Sequence, residues 1–209
     1  MFPKDKMKTD HGNENDPSPL YHLTGGYNVR IQEYEMSQNL IAPAAWALAI
    51  MRHKPAMVIE IGTDKGGFSN LLSSFVASYG GEFHTMDIKI GGDTLKYPLY
   101  GNATFHQWDC FKNYRGVEAL ICKPGLCFVL CDGGDKKAEF ALFSEYLKDG
   151  DVIAAHDWID ETVPNYAPNY WGWCETQTKD LQPAIAKHGL VDFMPEWFQF
   201  SAWCVKQKP

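Results

Sequence analysis

The stretch from Met57 to Leu72 reads Met-Val-Ile-Glu-Ile-Gly-Thr-Asp-Lys-Gly-Gly-Phe-Ser-Asn-Leu-Leu. It begins with an apolar run that predicts a strand, continues through a glycine-rich turn, and ends in apolar residues at helical spacing. Glycine suits a turn in which the backbone bends sharply or approaches a ligand, because a side chain would collide there. Backbone N–H groups at the start of the following helix can bind polar ligand atoms. The stretch therefore predicts a strand, turn and helix that hold a nucleotide-like ligand.

The spacing of the glycines separates two classes of ligand. A dinucleotide fingerprint requires Gly-x-Gly-x-x-Gly, with the middle glycine beside the pyrophosphate. Asp64 stands at that middle position, where its negative charge would repel a pyrophosphate. The acid before the glycines, Glu60, favours a ligand with a cationic end. The pattern therefore disfavours a nicotinamide dehydrogenase, and an ordinary tight turn without a ligand is the plain structural alternative.

Length and composition predict one globular domain. The 209 residues suffice for a single α/β domain with a full core. Residues 1–19 are polar and lack the apolar centre of a signal peptide, so we predict a flexible tail followed by one domain over 20–209. No apolar run is long enough to span a membrane. The net charge of -7 gives no general attraction to nucleic acid or to an anionic membrane.

The cysteines indicate a reducing compartment. None forms a Cys-x-x-Cys pair, and several lie within apolar runs, which favours buried free thiols over a zinc site. Free thiols are typical of the cytoplasm, where we expect this protein. The six residues are Cys110, Cys122, Cys127, Cys131, Cys174 and Cys204.

Strands and helices alternate regularly from residue 57 onward. This order predicts a doubly wound, mostly parallel α/β sheet, because parallel neighbours need helical crossovers. Strands are expected at 57–61, 82–86, 103–108, 126–131 and 151–155, and a terminal antiparallel pair at 190–194 and 198–205. Helices are expected at 67–79, 112–122, 137–148 and 175–188 (interrupted near Pro183), with a helix or a pair broken at Pro43 over 32–52.

Acidic residues follow three of these strands. Asp87, Asp109 and Asp132 stand at strand ends that should meet at one crevice, so we expect their carboxylates to line a single pocket. Asp87 is placed to accept hydrogen bonds from ribose hydroxyls. Each residue alone is also a common turn aspartate.

A second group of polar residues follows the fourth and fifth strands. Asp132, His156 and Asp157 should lie around one point, and two carboxylates with an imidazole can bind a divalent metal. Such an ion would lower the pKa of an acceptor hydroxyl and orient it. His156 has two other interpretations, as a metal-free general base or as a structural residue at a strand end.

The residues from 57 to 72 resemble motif I of the S-adenosylmethionine-dependent methyltransferases of the Rossmann-like class. The segments Val58 to Ser69, Leu130 to Lys136 and Gly150 to Trp158 resemble cephalosporin hydroxylase-like and rhamnosyl O-methyltransferase-like proteins. They are more distantly similar to the catechol O-methyltransferase group. The resemblance implies a Rossmann-like seven-stranded sheet that ends in an antiparallel pair, and S-adenosylmethionine as the cofactor. The cofactor residues it implies are Glu60, Gly62, Thr63, Gly66, Phe68, Ser69, Asp87, Asp109 and Asp132.

The same resemblance implies a metal at Asp132, His156 and Asp157, and the acid that meets the adenine amino group at Asp109. Relatives usually carry an acid where this chain has His156, so Mn²⁺, Fe²⁺ or Zn²⁺ would suit the site better than Mg²⁺. Catechol relatives also use a lysine after the first metal acid. Lys136 is the candidate base, although Asp135 stands at the expected spacing and an exposed helix-start lysine is the alternative.

Residues 159–173 are too long and too aromatic for an ordinary connection. Their aromatic side chains could form the wall of an acceptor pocket, cover a hydrophobic edge, or build a homodimer contact. We expect an O-methyltransferase, metal-dependent through the ligands above, that acts on a small hydroxylated acceptor such as a sugar, a phenol or a secondary metabolite. The alternatives are a metal-free enzyme with His156 as base and a non-catalytic protein that binds S-adenosylmethionine.

Overall fold

The computed structural model describes residues 29–31, 34–39, 41–89, 95–161 and 174–209. The predicted tail over 1–19 and most of the aromatic segment, residues 162–173, lie outside this part of the chain. Within it, no helix combines the length and the apolar character that crossing a membrane requires.

Strands and helices alternate through the described residues in chain order. The strands are β1 (Val29–Ile31), β2 (Tyr34–Met36), β3 (Met57–Ile61), β4 (Glu82–Asp87), β5 (Asn102–Gln107), β6 (Cys127–Cys131), β7 (Val152–Ala155), β8 (Trp158–Ile159), β9 (Thr176–Gln177), β10 (Val191–Asp192) and β11 (Cys204–Gln207). The helices are α1 (Ile41–His53), α2 (Gly67–Ala77), α3 (Tyr114–Ile121), α4 (Lys136–Phe143), α5 (Thr178–His188) and α6 (Pro195–Phe198), and a short 3-10 helix spans Ser144–Tyr146.

Seven strands form one sheet in the order β10-β11-β7-β6-β3-β4-β5. The five strands from β7 to β5 are parallel, whereas β11 is antiparallel to both β7 and β10. In the register of this sheet, Glu60 of β3 lies between Thr85 of β4 and Leu130 of β6. The predicted Rossmann-like sheet with a terminal antiparallel pair is therefore confirmed.

Helices cover both faces of the sheet, which explains its nearly continuous apolar strands. Alternate residues of each strand face opposite layers: Ile59 packs with the layer that contains Phe140 and Leu181. Val58 packs with the other layer, which contains Trp46 and Trp203. The two layers leave the carboxyl ends of the parallel strands as the edge at which polar side chains gather.

Three predicted elements are wrong in detail. Residues 34–36 form a strand that pairs with β1 and not a helix, and α1 begins at Ile41 with Pro43 in its first turn, where proline is tolerated. Helix α5 continues through Pro183, because its neighbours Leu181, Ala184 and Ile185 pack one face against the core. The predicted strand over 198–205 begins only at Cys204, since Pro195 starts the short helix α6. All six cysteines are free, as predicted, although Cys122 is exposed.

Candidate functional site

The glycine turn after β3 packs against two other parts of the chain. A Cβ on Gly62 would lie 2.2 Å from the backbone oxygen of Asp132, and Gly62 has a φ of +97°, which side chains disfavour. At the start of α2, a Cβ on Gly67 would lie 1.9 Å from the backbone oxygen of Glu35. These glycines therefore allow the loop after β6 and the strand β2 to approach the turn.

Glu60 is buried beneath this turn. Its Oε2 accepts hydrogen bonds from the Thr85 hydroxyl at 2.6 Å and from the Ser69 hydroxyl. Thr63 joins the network through its hydroxyl, 2.6 Å from that of Thr85. Burial raises the pKa of Glu60 to about 8, against the opposing effect of its two hydroxyl donors. Glu60, Thr63 and Ser69 thus support the turn from below, and the contact with a cofactor that the sequence assigns to them stays a prediction.

A cavity of about 880 Å³ opens at the carboxyl ends of β3, β4, β5 and β6. Its size is in the range of small-molecule and cofactor sites. Gly62 and all three strand-end acids line it, as predicted, whereas Glu60, Thr63, Gly66, Phe68 and Ser69 do not. The lining residues are Ile61, Gly62, Asp64, Lys65, Met86, Asp87, Ile88, Lys89, Trp108, Asp109, Cys110, Phe111, Asp132, Gly133, Gly134, Asp135 and Glu139.

The charge of this cavity favours a cationic ligand. Its wall carries six acidic side chains (Asp64, Asp87, Asp109, Asp132, Asp135 and Glu139) and two lysines (Lys65 and Lys89). An anionic pyrophosphate would be repelled by this wall, whereas a sulfonium or ammonium group would be attracted. The interpretation of Asp64 from the sequence therefore agrees with the position of that side chain in the cavity wall.

The backbone fixes the carboxylates of Asp87 and Asp109. Asp87 accepts hydrogen bonds from the backbone N–H groups of Asp64 at 3.1 Å and Lys89 at 3.0 Å. Asp109 accepts from the backbone N–H groups of Phe111 and Lys112 and forms an ion pair with the Lys112 side chain at 3.1 Å. The hydrogen bond from the Lys112 side chain lowers the pKa of Asp109 most, and its backbone N–H lowers it further. Both acids are thereby held in place at the rim of the cavity.

The structure brings the three predicted metal ligands together. Nδ1 of His156 lies 2.8 Å from Oδ1 of Asp132 and 3.6 Å from Oδ1 of Asp157. One ligand atom from each residue lies within 4.8 Å of the other two, and the described residues contain no second group of this kind. Adjacent ligands of an octahedral Mg²⁺ would be separated by about 3 Å. The residue types and their spacing therefore fit one divalent cation.

The loop after β7 places His156 and Asp157 beside the end of β6. The backbone N–H of His156 donates to the Cys131 carbonyl at 3.1 Å, and the Asp157 carbonyl accepts from Thr176 at 2.9 Å. Asp157 has a φ of +53°, an uncommon conformation that aspartate adopts more readily than most residues. Burial alone would lower the pKa of His156, but Asp132 and Asp157 outweigh it and raise that pKa.

Lys136 is also part of this cluster and is not an exposed helix-start lysine. Its Nζ lies 2.9 Å from Oδ2 of Asp157 and 3.9 Å from Oδ1 of Asp132, and its side chain is 7% exposed. Burial lowers the pKa of Lys136, yet the two carboxylates outweigh burial and raise it. The side chain is therefore a buried ammonium, which makes it a poor general base in this arrangement.

Two side chains that the sequence did not indicate hold Asp132. Buried Gln38 donates from Nε2 to Oδ2 of Asp132 at 2.9 Å and accepts at Oε1 from the Trp203 indole N–H at 2.8 Å. The Trp203 ring lies over the His156 ring, with centroids 4.6 Å apart. No motif links these positions, because their contact depends on the packing of β11 and the start of α1.

Glu139 is a further buried acid that sequence reasoning missed. Its oxygens accept hydrogen bonds from the backbone N–H groups of Gly133 and Asp135, both at 3.2 Å. Burial raises the pKa of Glu139 to about 7, while the Gly133 N–H and Lys136 oppose this shift. Glu139 thereby fixes the loop between the cavity and the cation cluster. Acids within amphipathic helices are usually exposed, so the sequence carried no signal for this role.

No protein-family model matches the sequence, and no curated protein matches it. Solved structures do share its fold. The apo structure of CmcI aligns with a TM-score of 0.58 and 13% identity, over 86% of this chain and 76% of that chain. A CmcI structure with Mg and SAM aligns with a TM-score of 0.55 and 12% identity over 86% and 76% of the two chains.

The SAH-bound methyltransferase PaMTH1 of Podospora anserina aligns with a TM-score of 0.52 and 12% identity, over 80% of this chain and 77% of that chain. Identity at this level establishes the fold and leaves the activity to be argued from the site. The chain thus has the Rossmann-like fold of the S-adenosylmethionine-dependent methyltransferases.

Proposed function

We propose that the protein transfers a methyl group from S-adenosylmethionine to a hydroxyl of a small acceptor, with a divalent metal bound by Asp132, His156 and Asp157. The observation that carries this proposal is the position of Asp132. This residue lines the acidic cavity and also belongs to the cation cluster, so it connects a site for a methyl donor with a site for an acceptor. A transfer reaction needs its two reactants side by side.

The cofactor would lie in the cavity. Asp87 is the proposed acceptor for ribose hydroxyls, and Asp109 for the adenine amino group. Two large apolar side chains of the cavity wall support a site for a flat base: Ile88 is 65% exposed and Phe111 is 40% exposed. A base placed against them would remove this apolar surface from water. The acidic wall would stabilise the positive charge of the sulfonium.

The metal would be held by the three ligands of the cluster. A divalent ion there would lower the pKa of an acceptor hydroxyl and fix its direction. The imidazole of His156 suits Mn²⁺, Fe²⁺ or Zn²⁺ better than Mg²⁺. The CmcI structure with Mg and SAM supports the combination of a divalent ion and a methyl donor on this fold. The acceptor class we propose is a sugar, a phenol or a similar small hydroxylated metabolite.

A metal-free mechanism with His156 as the base is the second candidate. One observation favours it: Lys136 already neutralises part of the charge of Asp132 and Asp157. The carboxylate of Asp132, at 2.8 Å from Nδ1, would then stabilise the protonated imidazole and hold its ring in place.

The setting of the enzyme is proposed from composition. Free cysteines support a cytoplasmic location, and the net charge of -7 supports partners other than nucleic acid or membrane. We propose a single domain over 20–209 with a flexible tail over 1–19, and a homodimer through its aromatic surface.

The test is the formation of S-adenosylhomocysteine by the purified protein. The protein is first treated with a chelator and then assayed with a panel of sugars and phenols, with and without Mg²⁺, Mn²⁺, Fe²⁺ or Zn²⁺. We expect turnover that depends on the ion and is lost in Asp157→Asn, while the surface control Asp149→Asn remains active. Turnover that is indifferent to chelation and ions would support the His156 mechanism instead. Tight binding of S-adenosylmethionine without turnover on any acceptor would indicate a non-catalytic binding protein.

A further inference from the structure

We propose that the Lys136 ammonium is a built-in cation of the cluster, and that a divalent ion binds to Asp132 and Asp157 only by displacing it. The inference rests on the metal site of the proposed function and adds how access to that site is controlled. It makes Lys136 a competitor of the metal, in contrast to the general base that the sequence predicts.

The position of Nζ is the first argument. It lies 2.9 Å from Oδ2 of Asp157 and 3.9 Å from Oδ1 of Asp132, and it donates to the backbone oxygen of Gly133 at 3.0 Å. The ammonium is thus surrounded by oxygens from the same carboxylates that are expected to bind a metal. Its side chain is 7% exposed, so few water molecules compete for these contacts.

The charges of the cluster are the second argument. Two carboxylates that lie close together inside a protein repel each other unless a cation neutralises them. Lys136 supplies that cation from within the chain. A divalent ion that approached the same oxygens would be repelled by the ammonium at short range. The long, flexible lysine stem allows the ammonium to move away, so binding of the ion and departure of Lys136 should occur together.

The test compares Mn²⁺ binding by the unaltered protein, Lys136→Met and Lys137→Met, using titration calorimetry and electron paramagnetic resonance. Methionine keeps a flexible stem of similar length and removes the charge. Lys137 is the matched control, since it is the next residue, pairs with Asp180 at 3.0 Å, and has a side chain that is 44% exposed. We expect Lys136→Met to bind Mn²⁺ about tenfold or more tightly than the unaltered protein. Lys137→Met should bind as the unaltered protein does.

A second measurement needs no variant of the site. Lysines are acetylated with acetic anhydride in the presence and absence of saturating Mn²⁺, and the modified peptides are quantified by mass spectrometry. Displacement by the ion should increase the acetylation of Lys136 severalfold and leave that of Lys137 unchanged. Unchanged acetylation of Lys136 in a protein that has bound Mn²⁺ overturns the inference, whether or not Lys136→Met folds.

The outcomes separate this inference from the proposed function. Equal Mn²⁺ affinity of the unaltered protein and Lys136→Met overturns the role of Lys136 and leaves the metal site standing. Binding by Lys136→Met alone supports the role of Lys136 and removes the metal from the proposed reaction. If no form binds Mn²⁺, both the metal site and the competition are wrong.

Discussion

The side-chain amide of Gln38 donates a hydrogen bond to Oδ2 of Asp132 at 2.9 Å, across 94 positions of the sequence. Gln38 in turn accepts from Trp203, Trp203 stacks on His156, and His156 returns to Oδ1 of Asp132 at 2.8 Å. These four side chains form a closed ring of contacts. Each oxygen of Asp132 therefore has a fixed partner, which determines the direction in which the carboxylate faces the cavity and the cluster.

Gln38→Leu should weaken both the fold and the cation cluster. It leaves the buried Trp203 N–H without its acceptor and releases Oδ2 of Asp132, so we expect a loss of about 2–3 kcal/mol in the free energy of unfolding. Urea titration measures this loss, and Mn²⁺ titration measures the weaker cluster. Trp203→Phe is the matched variant, because it removes the indole N–H and leaves the Gln38 amide on Asp132. Mn²⁺ affinity that falls equally in both variants would contradict the role of the Gln38 contact.

Gly62→Ala tests the close approach between the turn and Asp132. The new Cβ would lie 2.2 Å from the backbone oxygen of Asp132, so the loop must move. Gly80→Ala is the control, because Gly80 also has a positive φ, +80°, but a Cβ there meets nothing within 4 Å. We expect Gly80→Ala to cost about 1–2 kcal/mol in the free energy of unfolding and Gly62→Ala about 2–5 kcal/mol. Thermal unfolding compares the two, and equal losses would refute the steric argument.

Glu60→Gln should flatten the dependence of stability on pH. The pKa of Glu60 rises from 4.5 to about 8 in the folded protein, which therefore holds a proton that the unfolded chain releases. The contribution of a protonated Glu60 is complete below pH 4.5 and is lost as the pH rises through about 8. A glutamine resembles the protonated acid and removes this slope, which corresponds to about 1.4 kcal/mol for each unit of pKa shift.

Chemical denaturation at a series of pH values from 4 to 9 would measure the slope. Glu139 titrates in an overlapping range, with a pKa of about 7, so the slope should become shallower without disappearing. Glu118→Gln is the control, since Glu118 forms a surface ion pair with Arg115 at 3.1 Å. A slope that is the same in Glu60→Gln and Glu118→Gln would show that Glu60 is ionised throughout.

Asp87→Asn should lower the affinity for S-adenosylmethionine. The change keeps the size of the side chain and removes one negative charge from the cavity wall, together with one of the acceptors proposed for ribose. Loss of a charged hydrogen-bond partner corresponds to about tenfold or more in affinity. Calorimetric titration measures this change, with Asp149→Asn as the control outside the cavity. Unchanged affinity in Asp87→Asn would mean that the cofactor does not reach this rim.

The features that could be predicted from the sequence are local ones. The strand from Met57 to Ile61 is an apolar run, and the next helix has apolar residues at helical spacing, so both appear in the pattern itself. The convergence of Asp87, Asp109 and Asp132 follows because the ends of neighbouring parallel strands share one edge of the sheet. The grouping of His156 with Asp132 follows for the same reason.

The features that could not be predicted depend on which side a side chain faces and on distant packing. Glu60 lies on the face of β3 that α2 covers, so it is directed toward Ser69 and away from the cavity. The sequence does not indicate that Lys136 turns back toward Asp157, because a lysine at a helix start is usually solvated. The partnership of Gln38 and Trp203 exists only after β11 has been added to the sheet beside β7.

Asp132 borders both the cavity and the cation cluster, which couples the two thermodynamically. A cofactor beside one part of this carboxylate and a cation beside the other each alter the environment that its partner encounters. By linkage, the factor by which the cation changes the affinity for the cofactor equals the factor by which the cofactor changes the affinity for the cation. The cavity and the cluster therefore behave as one cooperative unit, and a titration at either of them reports on the occupancy of the other.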